Sequence, residues 1–269
     1  MSLLVVTASN RKYSPGVKAL WHSIQRNAPP GEIEFVAFAH GDDDLVKEWE
    51  DDGITVIQNP SFPEGQRYPV GGRWAAGVWD KYPNGMGAEC PYTQPAMYSR
   101  LLIPQVFPDR ERAMWIDADC IVHQSIAELE TFDFQGHPVA SAVLDYSRGN
   151  WKSWSEKKED PFTTHATATF LINIPRWNEL KITERCIELM NTCEDGEMLA
   201  VVQSILLLIT KNDFARYGWE YLEEAKKINP TSKTKIYHFS VMIPWDKYDM
   251  SLKPDSFRQQ VEKYWRPYA

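Results

Sequence analysis

The sequence predicts an α/β domain with a mainly parallel central sheet and helices on both faces. Strand-like apolar runs alternate with helical patterns over residues 3–57 in the order βαβαβ, and that rhythm favours parallel strands joined by helices. Further apolar runs of strand length follow at 113–116, 139–143, 170–174 and 235–239. The 269 residues are 43% hydrophobic and 25% charged, a composition that supports a large core. We therefore expect residues 1–269 to form a single domain.

Each predicted element has its own local signal. Residues 3–8 form an apolar run that predicts the first strand, while Ser14 and Pro15 predict an N-cap followed by proline in the first turn of a helix reaching about residue 26. Strands are also predicted at 33–38 and 54–57, with a short acidic-capped helix from about Asp44 between them. Helical spacing returns at 97–107 and at 183–210, where Gly196 predicts a break.

Two segments interrupt this rhythm and are predicted to be functional loops. Residues 58–96 are rich in glycine and proline, and residues 145–165 are mostly polar. Structureless segments of this length inside a domain are usually functional or disordered. Tryptophan in both segments favours partial order, and the segment 145–165 is a candidate lid.

Composition and missing motifs exclude several classes of protein. The net charge of -8 argues against nucleic-acid binding, which needs a dense basic surface. No apolar run approaches the roughly 20 residues that cross a bilayer, and the first residues lack the pattern of a signal peptide. The sequence therefore predicts a cytoplasmic protein without a transmembrane segment. Four scattered cysteines without a C-x-x-C pair make structural zinc improbable, and the common P-loop, dinucleotide-binding, hydrolase and metalloprotease motifs are absent.

The pair Asp117 and Asp119 is the strongest candidate for chemistry. The two residues follow the apolar run 113–116 directly, and positions i and i+2 of an extended segment point to the same side while Ala118 faces away. Two carboxylates can bind one Mg²⁺ or Mn²⁺. A second pair at Asp42 and Asp44 is interpreted as a helix start, because Leu45 and further apolar residues follow it. Only the first pair is predicted at the carboxyl end of a buried strand, where open α/β sheets bind ligands.

Five segments stand out in order along the chain: TASNRKYSPG at 7–16, MYSRLLIP at 97–104, AMWIDADCIV at 113–122, FLINIPRW at 170–177 and YHF at 237–239. In order and spacing they resemble the signature of the family 8 glycosyltransferases, the group of glycogenin and bacterial galactosyltransferases. The resemblance covers most of the chain between residues 3 and 245.

The resemblance implies a GT-A (Rossmann-like) fold and a metal-dependent, retaining glycosyltransferase. The implied cofactors are Mn²⁺ or Mg²⁺ and a nucleotide diphosphate sugar, most simply a UDP-sugar, while the acceptor is an unspecified carbohydrate, protein or lipid. Asp117, Asp119 and His238 are implied metal ligands. Arg100 is implied to reach the donor sugar or its phosphates. Asp195, a better candidate than Glu197, is implied to lie next to the sugar. The residues implied to contact the nucleotide are Ala8, Asn10, Tyr13, Asp117 and Ala118, with the Tyr13 ring stacked on the base.

The sequence departs from the family pattern in the late histidine segment. The pattern has a glycine and a lysine near the diphosphate, whereas this chain has Val241 and Ile243 and is one residue shorter. Lys247 or Arg11 is the candidate replacement for the missing positive charge. Ala166-Thr167-Ala168 also stands where the family has Asn-Ser-Gly. A distant or specialised member fits these differences.

Simpler roles exist for several of these residues. His238 would otherwise be a core histidine, Tyr13 a packing residue, and Arg100 half of a surface ion pair. Cys120 and His123 mimic a ligand pair but are interpreted as packing. Four loop tryptophans could stack on an acceptor sugar or simply pack; they are Trp74, Trp79, Trp151 and Trp154.

Two alternative functions remain open from the sequence. One is a nucleotide-sugar-binding module of the same fold without turnover, which the missing glycine and lysine favour. The other is a nucleotidyltransferase, although its Gly-rich basic amino-terminal loop is absent. For the transferase, the lack of an evident second carboxylate on the far face of the sugar favours same-face attack by the acceptor over a covalent intermediate.

Overall fold

A seven-stranded sheet forms the centre of the protein. The computed structural model describes residues 2–69, 95–144, 164–194, 201–211, 213–224, 231–239, 244–245 and 255–269. The sheet order is β3-β2-β1-β4-β7-β6-β8. Its strands are β1 Leu3–Ser9, β2 Ile33–Ala39, β3 Thr55–Gln58, β4 Arg112–Ile116, β6 Val139–Leu144, β7 Thr164–Asn173 and β8 Ala215–Tyr217.

The predicted α/β class with a mainly parallel sheet is confirmed. Strands β3, β2, β1 and β4 run parallel, as do β6 and β8, whereas β7 is antiparallel to both β4 and β6. Four parallel neighbours place their carboxyl ends at one edge of the sheet. Sequence spacing did not predict the antiparallel β7, because periodicity reports strand burial and not strand direction.

Helices cover both faces of the sheet and bury two apolar clusters. Residues Val5, Val17 and Leu45 belong to one cluster, while Val6, Phe38 and Trp115 belong to the other. Alternate strand residues point to opposite faces, which is why neighbouring positions on β1 enter different clusters. The helices are α1 Ser14–Asn27, α2 Asp43–Asp51, α3 Pro95–Tyr98, α4 Ile103–Val106, α5 Ile174–Glu179, α6 Ile182–Thr192, α7 Val201–Thr210 and α8 Asp255–Gln260.

A second, three-stranded sheet brings the late part of the chain to the end of β4. It contains β5 Cys120–Val122, β9 Glu223–Glu224 and β10 Ile236–His238, in the order β5-β10-β9. Strand β10 is antiparallel to β5 and pairs His238 with Cys120. The apolar run at 235–239 predicted β10, but the small sheet itself was not predicted, because β5 and β9 have only three and two residues and are too short to show a periodic pattern.

The start of α1 differs from the prediction. Ser14 is not the N-cap; Tyr13 is, and its side chain makes no capping bond. The Ser14 hydroxyl instead donates to Glu48 at 2.8 Å and accepts from the Trp49 indole at 2.8 Å. A 3₁₀ turn, Arg11–Tyr13, precedes the helix, and Asn10 caps that turn by accepting from the Lys12 amide at 3.1 Å.

The prediction of a continuous helix at 97–107 is also wrong. Helix α3, the 3₁₀ segment Ser99–Leu102 and α4 follow one another instead. Pro104 has no N–H to donate to the Arg100 carbonyl, so the α-helical ladder is interrupted there. The side chains of Ser99 and Arg100 add to the break by bonding the carbonyls of Pro95 and Met97.

Two other expectations hold. Asp42 caps α2 by accepting from the Leu45 amide at 3.0 Å, so the second aspartate pair is a helix start as predicted. Two helices, α6 and α7, occupy the region predicted as one broken helix. In the part of the chain that the structure describes, no helix is long and apolar enough to cross a membrane.

His123 packs among aromatic rings and makes folding sensitive to acid. The rings of Tyr237, Tyr264 and Tyr268 surround it at centroid distances of 5.7 to 6.4 Å, as the packing interpretation predicted. Burial lowers the pKa of His123 from 6.5 to about 4. The unfolded chain therefore binds more protons between pH 6.5 and about 4, and stability falls as pH falls through that window.

We expect His123→Phe to reduce this loss of stability in acid. Melting temperatures at pH 7 and at pH 4.5, measured for both proteins, provide the test. Wild type should lose more thermal stability than the variant between the two pH values. Equal losses would show that His123 does not take up a proton on unfolding.

Candidate functional site

The site lies at the edge of the sheet where the parallel strands β1, β2 and β4 end. Val6, Phe38 and Trp115 share one buried cluster. Two positions further along each strand come Ala8, His40 and Asp117, which therefore emerge on the same face. The His40 amide donates to the Ser9 carbonyl at 2.8 Å, so β1 and β2 stay paired to this edge. Chemically active side chains thus converge where α/β sheets bind ligands.

Asp119 and His238 come together through the small sheet. The Phe239 amide donates to the Asp119 carbonyl at 2.9 Å, and His238 pairs with Cys120 across β5 and β10. His238 Nε2 consequently lies 3.3 Å from Asp119 Oδ1. With Cys120 Sγ, these atoms form a group whose members all lie within 4.8 Å of one another. Two of the three predicted metal ligands are thereby adjacent.

Cys120 is a poor ligand despite its place in this group. Its side chain is fully buried. Burial raises the pKa of the thiol well above its usual range, and the carboxylates of Asp119 and Asp117 raise it further. The thiolate is the form that binds metals. The thiol therefore stays neutral and acts as packing, consistent with the interpretation from sequence.

Asp117 is held by an arginine and a tryptophan. Arg100 Nη2 donates to Asp117 Oδ1 at 2.8 Å, and Trp115 Nε1 donates to the same oxygen at 2.6 Å. Among the described residues no donor reaches Oδ2, and about a quarter of the side chain is exposed. Burial raises the pKa of Asp117, Arg100 lowers it, and Asp119 raises it further. One carboxylate oxygen is fixed in place while the other remains available to a ligand.

Arg100 is buried rather than at the surface. Its Nε donates to the Met97 carbonyl at 2.9 Å, its Nη1 donates to the Thr167 carbonyl at 2.5 Å, and its guanidinium lies 4.4 Å from the centre of the Trp115 ring. The interpretation as a surface ion pair is therefore wrong. The predicted contact with the donor sugar stays a prediction, because the bonds above point the guanidinium at Asp117 and backbone.

The predicted nucleotide-binding loop follows β1 directly. Ala8 is half-buried at the end of the strand, and Asn10 caps the next turn. The Tyr13 ring meets Trp245 edge to face at 5.6 Å, and the Trp245 indole donates to the Lys12 carbonyl at 3.0 Å. The loop is thus ordered by Trp245 from the late part of the chain. The uridine contacts proposed for these residues stay predictions.

Gly16 allows α1 to approach the turn between the two aspartates. A Cβ atom at Gly16 would lie 2.5 Å from the Ala118 carbonyl oxygen and 2.7 Å from the Trp245 ring. Backbone atoms cannot yield as a flexible side chain would. In the sequence, Gly16 is only one residue of the segment TASNRKYSPG and carries no prediction of its own. A glycine directly after proline at the start of a helix could have indicated that another backbone segment approaches closely there.

We expect Gly16→Ala to weaken nucleotide binding more than it weakens folding. The added methyl group must push α1 or the Ala118 turn outward, and overpacking of this kind costs about 1–3 kcal/mol. Melting temperature and UDP affinity with Mn²⁺ would be measured together. A matched control is Gly31→Ala, because Gly31 has a positive φ but no atom within 4 Å of the added methyl. That control should lower stability without changing nucleotide affinity.

Several predicted residues lie outside the described part of the chain. These are Asp195, Val241, Ile243, Lys247, Trp74, Trp79, Trp151 and Trp154. Most of the two predicted loops falls there as well, in residues 70–94 and 145–163. Arg11 is described, and it binds Asp42 at 2.7 Å and Glu48 at 3.4 Å at the surface. Its proposed role in neutralising a diphosphate would require those bonds to be exchanged.

Two residues of the site were missed by sequence reasoning. His40 contacts Ser99 Oγ at 2.5 Å through Nε2, and a histidine directly after a buried strand could have been noticed. Trp245 lies in the late segment that departs from the family pattern, so no sequence signal indicated its contact with the loop that follows β1.

Comparisons with known proteins agree with this architecture. A lipopolysaccharide 1,3-galactosyltransferase of Salmonella typhimurium is 25% identical over 168 residues, which cover 57% of this chain and 50% of the relative. The chain thus spans about half the length of the curated relative it matches.

Solved structures of low sequence identity share the fold. The galactosyltransferase LgtC, in complex with donor and acceptor sugar analogues, superposes with a TM-score of 0.65 at 14% identity, over 99% of this chain and 100% of that chain. The apo bifunctional glycosyltransferase WbbM gives 0.65 at 13% identity, over 98% and 50%. Mouse xyloside xylosyltransferase 1 gives 0.56 at 12% identity, over 89% and 97%. These likenesses confirm the GT-A fold.

The family model described as Glycosyl transferase family 8 matches residues 4–248. That span contains both β4 with its two aspartates and β10 with its histidine. The resemblance drawn from the sequence motifs is confirmed, and the chain belongs to glycosyl transferase family 8.

Proposed function

We propose that the protein transfers a sugar from a nucleotide diphosphate sugar, a UDP-sugar, with the help of Mn²⁺ or Mg²⁺. The observation that carries the proposal is the convergence of Asp119 and His238 beside Asp117 at the carboxyl edge of the parallel sheet. Family membership supports glycosyl transfer as the reaction class.

The donor set fits a divalent cation. Asp119 and His238 would hold it, and Asp117, which lies outside the group within 4.8 Å, is the third predicted ligand. Carboxylate oxygens and imidazole suit Mn²⁺, and carboxylates suit Mg²⁺. When bound, the cation would supply positive charge at the departing diphosphate.

Arg100 and Trp115 act on the reaction through Asp117. Their donors bind one oxygen of the carboxylate and so fix the direction in which the other oxygen points. Arg100 also places a positive charge next to the Asp117 carboxylate. Both effects keep the site organised before substrates bind, which reduces the reorganisation needed in the transition state.

Transfer with retention follows from the proposed same-face attack. The acceptor hydroxyl would approach the face of the sugar that the nucleoside diphosphate leaves, and its proton would pass to a leaving-group phosphate oxygen. The acceptor is expected to be chosen by the segments 58–96 and 145–165. Trapping of a glycosyl-enzyme adduct in mass spectrometry would count against this route.

A panel of radiolabelled nucleotide sugars tests the proposal. UDP-galactose is the first choice, because the curated relative is named a galactosyltransferase. Slow, metal-dependent release of free sugar is the expected result. Tight binding without hydrolysis or transfer would favour a binding module, and pyrophosphate formation from a sugar phosphate would favour a nucleotidyltransferase.

A further inference from the structure

His40 is an ordered polar side chain at the site edge that the proposed reaction does not use. It follows β2, and its amide is bonded to Ser9 at the end of β1. Its ring is partly buried and shares a sheet face with Ala8 and Asp117, as the alternation of strand residues requires. His40 therefore borders the space above the strand ends.

The contacts of Ser99 indicate which His40 nitrogen carries a proton. Ser99 Oγ lies 3.0 Å from the Pro95 carbonyl, to which it can donate its single proton, and 2.5 Å from His40 Nε2. Both contacts are hydrogen bonds at once when Nε2–H donates to Ser99 Oγ, and we assign the ring on that basis. Burial lowers the pKa of His40 to about 4, so the ring is neutral near pH 7. A neutral ring with a proton on Nε2 presents Nδ1 as a hydrogen-bond acceptor.

The spacing of the strands allows a nucleobase to reach His40. Asp117 follows β4 and His40 follows β2, with β1 between them, so the two residues lie two strand spacings apart, about 10 Å. A nucleoside diphosphate whose phosphates lie at Asp117 and Asp119 would reach that far with its base. The loop at Asn10 and Tyr13 extends from β1, between the two ends.

We infer that His40 selects the nucleobase by accepting a hydrogen bond at Nδ1 from a ring N–H. Uracil carries a donor at N3, whereas cytosine carries a lone pair there and would face the Nδ1 lone pair. His40 thus favours UDP over CDP. The inference rests on the proposed function, because it assumes that the nucleotide binds at this edge.

Binding of three nucleotides by the wild-type protein gives the first test. Calorimetry with UDP, CDP and N3-methyl-UDP in the presence of Mn²⁺ should show weaker binding of the last two by about tenfold, the effect of one unpaired hydrogen-bonding group. N3-methyl-UDP keeps both uracil carbonyls and carries a methyl group in place of the donor, so CDP, which lacks both, is compared beside it. Binding of N3-methyl-UDP as tight as that of UDP would overturn the inference.

Variants of His40 separate the roles of its two ring nitrogens. His40→Gln can keep the bond to Ser99 but has no group at the Nδ1 position, and His40→Asn can place its oxygen near that position. We expect discrimination between UDP and CDP to be lost in the first and partly kept in the second. His22→Gln is the matched control. His22 lies on α1 and bonds the Tyr268 carbonyl, so this substitution should leave the ratio of UDP to CDP affinity unchanged. Unchanged discrimination in His40→Gln, with a folded protein by melting temperature, would overturn the inference.

The ring tautomer is accessible without any substitution. Nitrogen NMR of protein labelled in histidine should show the His40 signals of a neutral ring with its proton on Nε2. A proton on Nδ1 would contradict the assignment even if UDP is preferred. Absence of a nucleotide site looks different, because wild type would then bind none of the three nucleotides, and both proposals would fall together. Absence of turnover alone would leave the preference for UDP intact.

Discussion

Replacing Asp119 by asparagine is expected to abolish transfer while leaving the unliganded protein close to wild type in stability. Asparagine keeps the shape of the side chain but removes the negative charge that a cation needs. Loss of several kcal/mol of charge stabilisation corresponds to a rate reduction of about a thousandfold or more. The packing around Asp119 should persist, since its backbone carbonyl and not its side chain accepts from the Phe239 amide.

The melting temperature provides a second measurement of the same variant. A ligand at one hundred times its Kd stabilises the native state by about 2.7 kcal/mol, which corresponds to a shift of roughly 5–10 °C for a domain of this size. Wild type with Mn²⁺ and UDP should show this shift, and Asp119→Asn should not. An early melting transition without ligand, followed by a full ligand shift, would mean that Asp119 is structural.

Asp42→Asn is the matched control for Asp119→Asn. Asp42 begins the other Asp-x-Asp pair, where it caps α2 and forms an exposed ion pair with Arg11, a kind of pair that contributes little to stability. Asparagine caps helices as well as aspartate does. Activity, stability and the ligand shift should all stay close to wild type, although both substitutions remove one carboxylate from the same sequence pattern.

The difference between these two aspartate pairs could be predicted from the sequence. An apolar run of strand length precedes Asp117, whereas glycine precedes Asp42 and apolar residues follow Asp44. The parallel strands could be predicted for the same reason, because burial on both faces produces continuous apolar runs. Local patterns therefore located the edge of the sheet and the turn that projects its carboxylates.

Contacts between distant segments could not be predicted. Strand β10 pairs with β5 over three residues, and no periodic pattern fixes a register so short. The motif resemblance implied His238 as a ligand, but only the pairing of His238 with Cys120 explains how the histidine reaches Asp119. The same limit applies to Arg100, whose acceptors among the described residues include groups of Met97, Asp117 and Thr167.

Arg100→Ala is expected to damage both folding and transfer. The substitution leaves the Asp117 carboxylate without its charged partner in a mostly buried position. Breaking a buried ion pair from one side costs about 3 kcal/mol, which predicts a fall in melting temperature of roughly 6–12 °C. The carboxylate also loses one of the two bonds that fix its orientation, so the transfer rate per folded molecule should drop. Arg100→Lys should recover part of the stability, since one ammonium group cannot span all three acceptors.

A double-mutant cycle separates the ion pair from the rest of the arginine. With Asp117→Asn in the background, Arg100→Ala should cost less stability than it does alone, because no charge is left unpaired. Arg112→Ala serves as the matched control. Arg112 also donates to a backbone carbonyl, that of Phe132 at 2.7 Å, and its guanidinium lies over the Phe134 ring. It lies, however, at the opposite end of β4 from Asp117. That variant should lose stability while the folded fraction keeps its transfer rate. If Arg100→Ala behaved in the same way, Arg100 would support the fold alone, and the orientation of Asp117 would have to come from Trp115.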